Sequence, residues 1–190
     1  MSLIEDSRVP VFEATRALTV VPTASEEPSW ARLELSMQHQ LQDNWCWAAV
    51  SMSVAAFFGS TNWTQCSVVS KEVKDATCCA NGSSSKCNVP WRLDKALRRV
   101  KALKKKRDGI PGDLEGIRRE IDDGRPVCIR IAWRGGGGHF IAIEGYRDDS
   151  ASVAVEDPWH GASDVPLAVF RSGRYHGTGS WTHTYYTKKP

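Results

Sequence analysis

Gln40-Leu41-Gln42-Asp43-Asn44-Trp45-Cys46-Trp47-Ala48-Ala49-Val50-Ser51 runs from a polar, glutamine-bearing loop straight into a small, apolar, helix-forming stretch that closes at Gly59. The polarity change predicts a helix start at Cys46. Unpaired backbone N–H groups and the helix dipole at such a start favour a thiolate, the form a nucleophilic cysteine needs. The opposing reading is a core cysteine between two buried tryptophans; Gln42, Asp43 and Asn44 just before it argue for a helix start that faces the surface. From Trp47 to Phe58 small and apolar residues occupy every side, the pattern of a buried central helix.

Downstream, Gly135-Gly136-Gly137-Gly138-His139-Phe140-Ile141-Ala142-Ile143 places a histidine at the head of an apolar, strand-like run. Val153-Ala154-Val155-Glu156-Asp157-Pro158 places a carboxylate at the end of the next one. If those strands are antiparallel neighbours, His139 and Asp157 meet. Cys46 is then a candidate nucleophile, His139 its base and later acid, and Asp157 the group that holds the imidazole tautomer. Gln40 is a candidate oxyanion donor together with the Cys46 N–H; Gln42 is its competitor. His39, His160, His176 and His183 are rivals to His139, with His160 too close in sequence to Asp157 to take an orienting bond across a strand pair.

The ordered set of Gln40 with Cys46-Trp47, Gly138-His139-Phe140 and Asp157-Pro158 resembles papain-like cysteine peptidases of the compact bacterial kind, which includes effector proteases and double-glycine leader peptidases. The resemblance spans roughly residues 40–160. It implies an α+β fold with a cleft between a helical and a β half, and a protein or peptide substrate. For an effector it further implies a cognate inhibitor or immunity protein, and it calls for no metal or organic cofactor. The six-residue spacing selects Gln40 over Gln42. Asn44-Trp45 departs from the papain signature, and the Cys46–His139 interval is shorter than in papain itself, so the chain reads as a trimmed relative. A Cys-His-Asp acyltransferase, transglutaminase-like enzyme or deamidase toxin has the same residue order, and a disulfide-stabilised binding domain is the non-catalytic alternative.

Six cysteines occur, four of them between Cys66 and Cys87 around the polar Asn81-Gly82-Ser83-Ser84-Ser85. Two disulfides among Cys66, Cys78, Cys79 and Cys87 would staple a segment with little apolar content, with three pairings open. Reduced thiols or a zinc site are the alternatives, although no CxxC pair is present. Disulfides in the helical lobe are also what the resemblance implies. Cys128, in an apolar run, reads as a buried inert thiol. The first residues carry neither the basic nor the apolar stretch of a secretory signal. The expectation is a protein secreted, or delivered to a target cell by another route.

The remaining composition is that of a soluble globular chain of 190 residues and net charge +3. Residues 1–30 read as an extended lead and 31–190 as one catalytic domain, helical over about 40–124 and β-rich over about 125–190. No apolar run reaches the about 18 residues of a membrane span. The basic run Lys101–Arg107 reads as the solvated end of a helix over about Pro90–Lys104, not as a nucleic-acid site. Thr61–Cys66 reads as a loop and cap before a short helix through Val73, and another helix is expected from Asp113, a candidate N-cap, to Asp122. Strands are expected at 32–37, 126–133, 139–146, 151–156, 165–170 and 180–187.

Overall fold

The computed structural model describes residues 30–111 and 114–190; the extended lead and the Asp113 cap lie outside them. Along the chain come β1 (Ala31–Arg32), α1 (Cys46–Phe57), α2 (Gln65–Val73), α3 (Leu93–Arg99), β2 (Leu103–Asp108), α4 (Glu115–Asp122), β3 (Val127–Trp133), β4 (Gly138–Arg147), β5 (Ser152–Asp157), β6 (Gly161–Pro166), α5 (Leu167–Arg171) and β7 (Gly179–Thr187). The strands form one antiparallel sheet in the order β2-β7-β3-β4-β5-β6, with β1 pairing the far end of β4. This is the α+β class expected of the chain.

Both faces of the sheet are covered, which is why its central strands read as continuous apolar runs. On β3, Val127, Ile129 and Ile131 pack with Ile141, Ile143, Val153 and Val155 against Ile117 and Ile121 of α4 and Phe170 of α5. Cys128, Phe140, Ala142 and Tyr185 point the other way, into a second core with α1, α2 and α3. The period-2 alternation of strand side chains sorts the residues between the two cores. Helix α1 lies at the centre of the second core, and every residue from Cys46 to Ala55 is buried.

Four expectations are corrected. The basic run is not a helix end. Helix α3 stops at Arg99, Lys101 takes a left-handed φ of 61°, and the Ala102 N–H closes the turn on the Leu97 carbonyl at 2.8 Å. The chain then enters β2, which pairs β7 from Leu103↔Thr187 to Asp108↔His183. Lysines on an outermost strand discourage pairing with another chain, a reason for them that does not depend on helical charge. Strand β2 thus comes from the segment read as helical. The run at 165–170 is mostly helix, because Leu167 and Phe170, three apart, are both buried whereas Ala168 is exposed. The strand expected at 32–37 is only the two-residue β1. Helix α3 is also shorter at its start than expected, beginning at Leu93.

Two disulfides, Cys66–Cys79 and Cys78–Cys87, tie α2, the 3-10 turn Ala76–Cys79 and the following loop together. Cys46 and Cys128 are free and buried. Helix α2 is capped by Thr64, which accepts from the Ser67 N–H while the Ser67 hydroxyl accepts from Thr64 N–H.

Candidate active site

Cys46 is the first residue of α1, so its N–H has no intrahelical acceptor. The tryptophans on either side fix where the helix begins. Trp45 Nε1 donates to the Cys87 carbonyl at 2.8 Å and Trp47 Nε1 to the Val89 carbonyl at 3.0 Å. Asn44 makes two further bonds, its N–H to Asn88 Oδ1 and its Nδ2 to the Asn88 carbonyl. The Trp45 ring is seated against Gly82, where a Cβ would come within 2.7 Å of it. The disulfide-closed loop is therefore the mould in which the cysteine's position is cast. Cys46 is only 7% exposed, yet it lines a cleft with Trp47, Trp91, Trp133, Gly138 and Trp159.

The opposite wall comes from the β3–β4 hairpin and the end of β5. Gly136 and Gly137 take φ of 97° and 79° in the turn, as only glycine does readily, and β4 opens with Gly138-His139. A Cβ on Gly138 would meet the Arg130 guanidinium at 2.7 Å and the Ile131 carbonyl at 2.8 Å. His139 Nε2 lies 2.7 Å from Asp157 Oδ1, and the Cys46 side chain lies within interaction range of the same imidazole. Cys46, His139 and Asp157 are thus brought together, with the imidazole hydrogen-bonded to the carboxylate.

Asp157 is held from all sides. Oδ1 accepts from His139 and from the backbone N–H groups of Trp159 (2.7 Å) and His160 (3.0 Å); Oδ2 accepts from the Tyr175 hydroxyl at 2.8 Å. Burial alone would raise its pKa, but the His139 hydrogen bond and charge and the two N–H donors outweigh it and bring the carboxyl down to about 2. Burial works equally against the His139 cation, yet hydrogen bonds to Asp157 and Cys46 carry its pKa up to about 9. The result is an imidazolium at neutral pH, adjacent to sulfur. Burial pushes the Cys128 thiol up with nothing to oppose it, in keeping with an inert core cysteine.

Gln40 lies on the cleft, tied to the carboxylate side by its N–H, which donates to the Pro158 carbonyl at 2.9 Å. Both hydrogens of its side-chain amide are given to the loop, to the Gln42 carbonyl at 2.9 Å and the Asp43 carbonyl at 2.8 Å. Its Oε1 is buried without a hydrogen-bond partner among the described residues. Gln65 braces this loop, accepting from the Leu41 N–H and donating to the His39 carbonyl. Of the rival histidines, His160 lines the cleft, His176 stacks on it, and His183 is on β7 near Asp108.

Tyr175 and Trp133 are absent from the sequence reading. Tyr175 is buried beneath Asp157, and Trp133 stacks on both His139 and Tyr175. Tyr175 lies in a short glycine-flanked turn, Gly173-Arg174-Tyr175-His176-Gly177, with no local signal of its role.

The profile of the Peptidase_C39 like family matches residues 32–183, most of the chain. The fold is similar to the crystal structure of the peptidase domain of Streptococcus ComA, a bi-functional ABC transporter involved in a quorum-sensing pathway. The TM-score there is 0.52 at 15% identity, over 80% of this chain and 98% of that one. It is also similar to a C39-like peptidase from Bacillus anthracis, with a TM-score of 0.51 at 13% identity, over 82% of this chain and 95% of that one. No curated protein sequence matches the chain. The chain belongs to the Peptidase_C39 like family and is a papain-like cysteine protease.

Proposed function

We propose that this C39-like peptidase hydrolyses a peptide bond of a protein or peptide substrate through a Cys46 acyl-enzyme, with His139, Asp157 and Gln40 as its other working groups. The observation that carries the reading is the His139–Asp157 hydrogen bond beside Cys46 in an aromatic-walled cleft that Cys46 and His139 both line.

The sulfur attacks the scissile carbonyl carbon, and the carbonyl π electrons move onto oxygen. The Cys46 N–H, unpaired within its helix, stabilises that oxyanion. Gln40 joins it by releasing one amide hydrogen from Gln42 or Asp43 as substrate arrives, a tightening common on passing from free enzyme to complex. The tetrahedral adduct collapses, the C–N bond breaks, and the imidazolium of His139 gives its proton to the leaving amine. A water then loses a proton to His139 and attacks the thioester. Cys46 leaves as thiolate, and the acid product departs. Asp157 keeps the imidazole oriented and its cation favourable throughout.

Trp159, 48% exposed and lining the cleft, and the side-chain-free Gly137-Gly138, which also line it, support an extended peptide as ligand. The disulfides support a destination outside the reducing cytosol, and hence a secreted or injected effector. The test is product mass. Wild-type protein and Cys46→Ala are incubated with a peptide mixture that includes Gly-Gly sequences. Paired fragments summing to substrate plus one water, absent with Cys46→Ala, are expected. A mass change without chain cleavage would replace hydrolysis by acyl transfer or deamidation.

A further inference from the structure

Two histidines that the catalytic line does not use crowd against its carboxylate end. His160 is in the turn between β5 and β6, and His176 is in the turn between α5 and β7. Their rings stack with centroids 3.9 Å apart and planes 20° apart, both exposed. One nitrogen of each ring and one carboxylate oxygen of Asp157 all lie within 4.8 Å of one another. Neither ring is hydrogen-bonded to protein among the described residues. His176 reaches this place from a backbone φ of 42°, a conformation that costs free energy for a residue other than glycine.

We propose that His160, His176 and Asp157 form a binding site for a divalent cation of the zinc class, and that the bound ion switches the peptidase off. Two imidazoles and a carboxylate are donors that Zn2+ takes readily, with a fourth position left for water. Calcium and magnesium prefer all-oxygen sites and are poorly served here. Both histidine side chains are exposed and on turns, free to close the remaining distance to the 2.0–2.1 Å typical of Zn–N bonds. The inhibitory half of the proposal rests on the role given to Asp157 above. Both oxygens of that carboxylate already accept hydrogen bonds, from His139 and two backbone N–H groups at Oδ1 and from Tyr175 at Oδ2, so an ion bound there displaces a donor and disrupts the contact that orients His139. His139 is the next ring along, with its centroid 6.2 Å from His160.

A thiolate–imidazole pair is itself a zinc ligand set, so the test first removes the sulfur. Full-length Cys46→Ala protein is titrated with ZnCl2 by calorimetry, beside Cys46→Ala carrying His176→Asn, which tolerates the left-handed backbone, or His160→Ala. Circular dichroism checks the fold of each. One equivalent binding at micromolar concentration or tighter, weakened more than about 10-fold by either histidine change, is expected. MgCl2 and CaCl2 should give no saturable heat. No zinc binding, or binding unchanged in both histidine variants, overturns the site. With Cys46 intact, zinc inhibition is measured relative to each protein's own zinc-free rate. Half-inhibition at more than about 10-fold higher zinc in His176→Asn is expected. Equal inhibition in both proteins would place the ion at Cys46 and His139 and overturn the regulatory half. The calorimetric result holds even for a protein that cleaves no peptide, so failure of the peptidase reading and failure of the metal site are separable.

Discussion

The two walls of the cleft are held in place by different physics. On the sheet side, His139 and Asp157 sit at the ends of strands whose register is set by long ladders and by an apolar core of Ile and Val. On the helical side, the start of α1 is fixed by hydrogen bonds from two indoles and one asparagine to the 87–89 segment of a polar loop, which a disulfide closes. The proposed base, His139, is placed by a core, and the proposed nucleophile, Cys46, by a cross-linked loop. The difference implies that the two halves fail separately, and under different insults.

The largest effect should come from the sheet side. Asp157→Asn leaves a polar group beside His139 but removes its charge, and kcat/KM should fall about 10³-fold, the scale of losing an orienting carboxylate. The sign of the pH effect follows from the titration of His139. Its pKa of about 9 lies above the ordinary 6.5, so its stabilising contact is complete below pH 6.5 and is lost as pH rises through 9. The alkaline limb of kcat/KM should therefore lie near pH 9 in wild type and move to lower pH in Asp157→Asn. A limb that does not move would show that Asp157 does not set the charge of His139.

Reduction of the disulfides tests the other wall. Loss of the Cys78–Cys87 link in Cys78→Ser/Cys87→Ser should cost about 2–4 kcal/mol. Hydrogen exchange should lose protection around 44–57 and 78–89 while 127–143 stays protected. Uniform loss across both segments would erase the contrast between the walls. A milder version is Gly82→Ala, which drives a Cβ into the Trp45 ring and should cost about 1–3 kcal/mol in a denaturant melt. The smallest effect is Tyr175→Phe, which removes one hydrogen bond to Oδ2, worth about 1 kcal/mol. It should lower kcat several-fold at unchanged KM. An unaltered kcat would reduce Tyr175 to packing.

What the sequence revealed follows the same division. The Cys46 helix start, the His139 strand and the Asp157 turn are local patterns, each readable from its neighbours, and the antiparallel pairing of β4 with β5 needed only adjacency. The basic strand β2 was hidden because lysines signal solvent, while its ladder is supplied by β7, about 80 residues away. The pairing of four cysteines is decided by how α2 meets the loop, and the contact of Tyr175 with Asp157 by the return of the chain after α5. Neither is written in any local window. Gln40 was legible as a candidate and does line the cleft, but the engagement of both its amide hydrogens by the loop was not.

The central claim is that the two walls meet in a working Cys46–His139 pair. The most direct measurement is the pH dependence of iodoacetamide alkylation at Cys46, followed by peptide mass spectrometry in wild type and His139→Ala. Rapid labelling well below pH 8 that collapses in His139→Ala is the predicted result. Slow labelling that titrates near the free-thiol value of about 8.5, the same in both proteins, would contradict it.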